Sequence, residues 1–159
     1  MSVSPIPDGY ASVTPYLIIS GAKAAIEFYK TVFGATERLC LPGPDGRVAH
    51  AELEIGDSVI MLADECPERG AKSPQTYGGS PVSIHLYVNN SDQVYAKALA
   101  AGAKSIRPVR TSFMGTVQVG LPIRSAISGM WPHMWRMCHQ RNCNGGWRRC
   151  GVREAEKIC

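Results

Sequence analysis

The sequence has no apolar run that approaches the roughly 20 residues needed to cross a membrane. Its first nine residues lack both the basic segment and the apolar segment of a secretory signal peptide. None of its six cysteines forms the C-x2-C pair that marks zinc sites. These absences predict a soluble, cytoplasmic protein with no membrane partner, in which Cys40 and Cys66 are free thiols.

The composition favours one globular domain. The chain has 159 residues, of which 45% are hydrophobic and 19% charged. Those fractions exclude a disordered, collagen-like or coiled-coil chain. The length is sufficient to bury a core without disulfides or metals.

Acidic residues are absent from one long stretch, between Asp92 and Glu154. Residues 1–103 contain 7 Lys/Arg and 11 Asp/Glu, whereas residues 104–159 contain 10 and 2. All three tryptophans and four of the six cysteines also lie in the second part. Two different compositions are therefore joined in one chain.

Hydrophobic periodicity predicts a β-α-β-β-β order in the first half. A helix is predicted over residues 21–33, with Ser20 as its N-cap and Gly34 at its end, because apolar residues recur there at helical spacing. Strands are predicted at 12–20, 36–41, 47–55 and 58–63.

The same order starts again after a loop rich in proline, glycine and serine. A strand is predicted at 82–88, followed by a helix capped by Ser91 or Asp92. Gly34-Ala35 and Gly102-Ala103 occupy matching places 68 residues apart, which indicates a duplicated unit. We predict a single domain over 1–159, divided into a first module (12–65), a linker (66–81), a second module (82–130) and an irregular tail (131–159).

Several motifs carry a family resemblance. They are TPYLI at 14–18, AIEFYKTVFGA at 25–35, PGPDG at 42–46, HAEL at 50–53, GDSVIMLADE at 56–65 and SIHLYV at 83–88. Together they resemble the PhnB-like branch of the glyoxalase/bleomycin-resistance/extradiol-dioxygenase superfamily, the vicinal oxygen chelate fold, over residues 3–113. The resemblance implies an α+β fold in which paired βαβββ modules surround a cavity, in a homodimer.

The resemblance stops at Phe113. Members of the family continue with a pattern like FYGDxSG and later DPFGHxW, and this chain has neither. One thymine added after the codon of Phe113 permits FYGDSSG and then DPFGHLW in the new frame. We therefore hypothesise that one nucleotide was lost and that about 46 residues are translated out of frame. The second module would then be incomplete or irregular at its end, with reduced stability or a disordered C-terminus. An uninterrupted gene with other codons at 114–135 would refute this.

The resemblance also implies where metal ligands would lie. Alignment of the two helices places the first three ligand positions of the family at Thr14, Met61 and Ser83, while the fourth falls in the altered tail. These side chains suit a hard divalent cation poorly. We therefore predict no metal and no other cofactor, and expect these three residues to contact a small organic ligand.

Two strand histidines offer other chemistry. His85 shares the strand face of Ser83, which in the family faces the cavity, so it is either a ligand contact or general base, or a half-buried structural histidine. For His50 we favour the structural role, although it too is a candidate ligand contact.

Aromatic and acidic residues complete the candidates. Tyr16 and Tyr87 could line a pocket for a flat ligand, and Tyr16 is included among the predicted ligand contacts. Four carboxylates could supply a general base, but their alternation along the strands favours a solvated face. They are Glu52, Glu54, Asp64 and Glu65.

The tail contains two further patterns. Cys138, Cys143 and Cys150 have a C-x4-C-x6-C spacing that is not typical of zinc sites. Its arginines would bind polyanions only weakly, so we predict no specific nucleic-acid partner.

Three functions remain open from the sequence. The preferred one is binding of a small organic ligand in the sheet cavity of a homodimer. The second is a metal-dependent lyase, isomerase or dioxygenase that uses His50 or His85. The third is a non-functional product of a frameshifted gene.

Overall fold

The computed structural model describes residues 5–104 in full and, beyond them, the backbone of three strands. Within this described part, none of the helices has the length and apolar character needed to span a bilayer. The predicted disordered C-terminus, the tail cysteines 143 and 150 and most of the segment assigned to the frameshift lie outside the described residues.

The first module is a four-stranded sheet with one long helix. Its elements are β1 (Tyr16–Ile19), α1 (Ala22–Phe33), β2 (Thr36–Pro42), β3 (Val48–Ile55) and β4 (Ser58–Asp64). The strand order is β1-β4-β3-β2, and only the β1–β4 pair is parallel. The predicted β-α-β-β-β order is confirmed, although the first strand begins only after Pro15.

The second module repeats this topology. It contains β5 (Ser83–Tyr87), α3 (Ser91–Ala100), β6 (Arg107–Thr111), β7 (Val117–Pro122) and β8 (Met134–Cys138), in the order β5-β8-β7-β6. A short helix, α2 (Pro74–Tyr77), lies in the connection. The α+β fold of paired βαβββ modules is thus confirmed. Strand β8 lies in the segment that the sequence predicted as an irregular tail, and it pairs in parallel with β5.

The faces of the first sheet follow from the alternation along β3. Ala51, Leu53 and Ile55 belong to the main buried cluster, together with residues of α1. Because successive side chains of a strand point to opposite faces, His50 and Glu52 lie on the face away from α1. We call this face the open face.

Two different capping interactions define the ends of α1. Gly34 ends the helix at φ 69°, a conformation that residues with a Cβ rarely adopt. At the other end, Ser20 is not the cap, which corrects the prediction: the N-cap is Gly21, and no side chain of the cap itself accepts a hydrogen bond. Instead Asp64 Oδ1 accepts from the backbone N–H groups of Gly21 (2.9 Å) and Ala22 (2.8 Å).

The cap of α3 also differs from the prediction. Neither Ser91 nor Asp92 caps this helix, because both lie inside its first turn. The N-cap is Asn90, whose Oδ1 accepts a hydrogen bond of 3.0 Å from the backbone N–H of Gln93. An asparagine is as good a cap as aspartate or serine, so the shift by one or two residues preserves the capping mechanism.

The two modules share apolar contacts through their helices. Val32 of α1 and Ala98 of α3 are buried in one cluster with Ala103, and Phe28 and Leu86 pack against it. This packing holds β5 beside the first module.

Candidate functional site

The open face of the first sheet carries both polar and apolar side chains. In the strand register, Tyr16 of β1 lies opposite Met61 of β4, and Met61 lies opposite Glu52 of β3. Residues opposite each other in a sheet share a face, so all three side chains are on the open face. His50 shares it because it is two residues from Glu52.

Four side chains of this region form one hydrogen-bonded chain. Tyr16 Oη lies 3.0 Å from His50 Nδ1, and His50 Nε2 lies 3.2 Å from Glu52 Oε1. Glu52 Oε2 accepts a hydrogen bond from the hydroxyl of Tyr10. Because β4 separates β1 from β3, the Tyr16 side chain crosses over β4 to reach His50. The chain Tyr16–His50–Glu52–Tyr10 therefore spans three strands.

Glu52 is the buried centre of this chain, with only 8% of its surface exposed. The hydrogen bond from Tyr10 holds the pKa of the Glu52 carboxyl below its usual range, and the contacts with His50 and Arg38 act in the same direction against the opposing effect of burial. A carboxylate with two hydrogen-bonding partners is stable here as an anion. The expectation that Glu52 belongs to a solvated face is therefore wrong, because Tyr10, in the segment that precedes the first strand, packs against it.

The segment before β1 folds back over the open face. Tyr10 anchors it to Glu52, and Arg38 Nη1 donates a hydrogen bond of 2.8 Å to the backbone carbonyl of Gly9. The Arg38 guanidinium also lies 4.6 Å from the centre of the Tyr10 ring, a cation–π contact. These contacts fix the N-terminal segment in place over β3 and β4.

An open cavity of about 510 Å³ lies beneath this segment. We call it the N-terminal cavity. Its lining consists of residues 5–7, residues 10–12, Thr14 and Met61. The volume is within the range of small-molecule sites, about 300–1,000 Å³, and the lining is mostly apolar with a few hydroxyl groups.

The predicted site residues divide into two groups. The structure brings Thr14 and Met61 together in the lining of the N-terminal cavity and joins Tyr16 to His50 by a hydrogen bond. Ser83 and His85 lie on β5, in the second sheet and outside that lining. His85 is exposed, and its strand neighbours Ile84 and Leu86 pack against the core instead.

The side chains at the three family ligand positions do not fit a divalent metal. Thr14 and Met61 are a neutral hydroxyl and a thioether, and Ser83 lies on the other sheet. Hard cations prefer carboxylate, carbonyl and water oxygens, and most transition metals in proteins take imidazole or thiolate ligands. In the part of the chain with described side chains, no three His, Cys, Asp or Glu residues are placed to share an ion.

Two important residues were missed by sequence reasoning. Tyr10 precedes the first strand and was assigned no role, and Asp64 was considered only as one of four alternating carboxylates. Asp64 Oδ2 also accepts a hydrogen bond of 2.7 Å from the backbone N–H of Val48, so this side chain ties β4 to both α1 and β3. The hydrogen bond from Tyr10 to Glu52 and that from Gly21 to Asp64 each join residues about 40 positions apart in the sequence. No local sequence pattern signals contacts at that separation.

Acid is expected to remove the stabilisation that Glu52 provides. Because the pKa of Glu52 is lowered in the folded protein, its contribution is complete above the unfolded value of about 4.3 and is lost as the pH falls through the folded value. Tyr10→Phe removes the hydrogen bond that lowers this pKa most, so the variant should lose less stability on acidification. Urea unfolding at a series of pH values measures the difference.

Alkali provides the matching control. The hydrogen bond to Glu52 raises the pKa of the Tyr10 hydroxyl, so its contribution is complete below about 10 and is lost as the pH rises further. Tyr10→Phe should therefore flatten the alkaline side of the stability curve as well. Identical pH dependence in both proteins would contradict the Tyr10–Glu52 hydrogen bond.

Comparison with known proteins agrees with this fold. An uncharacterized protein of Mycobacterium bovis is 39% identical over 107 residues, which cover 65% of this chain and 70% of that protein. The crystal structure of protein PA1353 from Pseudomonas aeruginosa matches with a TM-score of 0.64 and 22% identity, over 83% of this chain and 99% of that one. The PhnB protein of Bacillus cereus matches with a TM-score of 0.59 and 16% identity, over 81% and 99%.

A family model gives the assignment directly. Residues 11–120 match the model of the Glyoxalase/Bleomycin resistance protein/Dioxygenase superfamily. This range contains the whole first module, strands β5 and β6, and β7 except for its last two residues. The chain therefore belongs to the glyoxalase/bleomycin resistance protein/dioxygenase superfamily.

Proposed function

We propose that the protein binds a small organic molecule in the N-terminal cavity and needs no metal ion to do so. One observation supports this most: the N-terminal segment is anchored through Tyr10 to the buried Glu52, and it lines an open cavity of about 510 Å³ together with Met61. A preformed apolar cavity with a few fixed polar groups is the usual form of a small-molecule site.

The lining indicates the chemistry of the ligand. Pro5, Ile6, Pro7, Ala11 and Met61 supply apolar surface, and Tyr10, Ser12 and Thr14 supply hydroxyl groups. Among the residues whose side chains the structure describes, no lysine or arginine contributes to this lining. We therefore expect a largely apolar, uncharged ligand with one or two hydrogen-bonding groups.

The metal-dependent alternative has less support. Both ring nitrogens of His50 already have hydrogen-bonding partners, Tyr16 and Glu52, so the imidazole would have to break one bond to bind an ion. His85 lies on the other sheet, outside the cavity.

Two further parts of the proposal, a homodimeric assembly and a cytoplasmic location, rest on the family resemblance and the sequence.

A tryptophan in the cavity should block ligand binding. Nile red, a neutral fluorophore that brightens in apolar surroundings, serves as the probe. Met61→Trp fills space that a ligand would occupy, and we expect the Kd for Nile red to rise roughly tenfold or more, which corresponds to about 1.4 kcal/mol. Fluorescence titration of the folded proteins measures this.

Two further variants make the result specific. Ser12→Trp fills the cavity from the N-terminal segment instead of from β4, and it should weaken binding as Met61→Trp does. Val82→Trp adds the same side chain at a residue that is 61% exposed and outside the cavity, and it should leave the Kd unchanged. Equal affinity in all four proteins would show that the probe binds elsewhere and would refute the proposal.

A further inference from the structure

Three side chains on the open face are connected as a hydroxyl, an imidazole and a carboxylate. Glu52 Oε1 lies 3.2 Å from Nε2 of His50, and the hydroxyl oxygen of Tyr16 lies 3.0 Å from Nδ1 of the same ring. An ionised carboxylate has no proton to donate, so His50 must donate its Nε2–H to Glu52. Nδ1 of the neutral ring then carries the lone pair and accepts the proton of the Tyr16 hydroxyl.

Exposure to solvent increases along this hydrogen-bonded chain, from Glu52 through His50 to Tyr16. The side chain of Glu52 is 10% exposed and that of His50 is 23% exposed, whereas Tyr16 is 50% exposed. The carboxylate is thus held inside the protein, whereas half of the surface of Tyr16, at the other end, is open to solvent. Tyr10 keeps Glu52 ionised and oriented by occupying its second oxygen.

We propose that Tyr16 is a nucleophile that accepts acyl groups from activated esters, with His50 as its general base. The connectivity is that of a nucleophile, a base and an orienting carboxylate, which recurs on unrelated folds. This goes beyond the ligand binding proposed above and does not depend on it, because Tyr16 lies outside the lining of the N-terminal cavity.

The chemistry is a two-step acyl transfer. In the first step, Tyr16 Oη forms a bond to the ester carbonyl carbon as the bond from that carbon to the leaving oxygen breaks. The hydroxyl proton passes to His50 Nδ1 and from there to the leaving oxygen. In the second step, water attacks the acyl-tyrosine and gives a proton to His50, which returns it to Tyr16 Oη, so that a carboxylic acid is released and the site is restored.

Acetylation by p-nitrophenyl acetate tests this within one protein. Tyr77 is the internal control, since it is 68% exposed and its ring lies 6.0 Å from the Lys72 ammonium group. Exposure alone predicts that Tyr77 reacts faster than Tyr16. The proposal predicts the reverse, with acetylation of Tyr16 roughly tenfold or more faster, as expected for general-base assistance. Peptide mapping by mass spectrometry after brief exposure measures the acetyl group on each tyrosine, and p-nitrophenolate release that exceeds this total and is lost in Tyr16→Phe measures the acetyl groups already hydrolysed from Tyr16.

Variants and a spectroscopic measurement separate catalysis from structure. His50→Ala should bring the Tyr16 rate to that of Tyr77 or below. Nitrogen NMR of the unaltered protein should show neutral His50 protonated at Nε2. Slower acetylation of Tyr16 than of Tyr77, with bound and hydrolysed acetyl groups counted together, or a proton on Nδ1 of the neutral ring, would overturn the proposal, and Nile red binding would still report on the cavity separately.

Discussion

Replacement of Leu53 by alanine is expected to lower the free energy of unfolding by about 3 kcal/mol, the usual cost of a leucine truncated in a closed core. Leu53 has no exposed surface and packs in the cluster between the first sheet and α1. Its removal leaves a cavity that the surrounding strands cannot fill without distortion. Urea unfolding of the full chain, followed by circular dichroism, measures the change.

Leu39→Ala is the matched control for this prediction. Leu39 is opposite Glu52 in the register of β2 and β3, on the open face, and is 40% exposed. The same substitution should cost less than about 1 kcal/mol there, because a partly exposed leucine loses little burial. A shift of β3 by one residue would reverse the two faces. Equal costs, or a larger cost for Leu39, would therefore contradict the placement of His50 and Glu52 on the open face.

Asp64→Ala should destabilise the protein by about 3 kcal/mol, since one carboxylate satisfies three backbone N–H groups. These donors belong to Gly21, Ala22 and Val48, and the last two residues are buried. Without Asp64 the first turn of α1 has no side-chain partner at its N-terminus. Urea unfolding measures the loss, and hydrogen exchange should show faster exchange at the three amides.

Asp57→Ala is the control for this effect. Asp57 is an exposed aspartate in the turn between β3 and β4, and its carboxylate accepts a hydrogen bond of 2.9 Å from the hydroxyl of the neighbouring Ser58. Its removal should change stability by less than about 0.5 kcal/mol. A similar small effect for Asp64→Ala would show that water replaces the carboxylate and that α1 needs no cap from β4.

The order of secondary-structure elements was predictable because its signals are local. Helical spacing and Gly34 define α1, and strand alternation with short turns defines β2 to β4. The duplication at a separation of 68 residues predicted the second module, whose backbone repeats the strand order of the first. Even the misplaced cap of α3 was wrong by only one or two residues.

The site was predictable only in part, because its decisive contacts are long-range. Tyr16 and His50 were candidates from their positions on predicted strands, but their hydrogen bond depends on strand order across β4. The alternating pattern of β3 does identify the face of Glu52, yet it cannot show that Tyr10, 42 residues earlier, covers that face. The role of Asp64 at the start of α1 could not be predicted for the same reason, because Asp64 contacts residues more than 40 positions earlier in the sequence.

Nile red titration of the unaltered protein, purified without chelator, tests the central claim most directly. We propose that the N-terminal cavity binds a small apolar molecule through its own side chains. The titration should therefore show one binding site, and its Kd for Nile red should be the same before EDTA treatment, after EDTA treatment and after addition of Mn²⁺. Binding that disappears with EDTA and returns with Mn²⁺ would contradict the account and would assign the site to a metal-dependent enzyme.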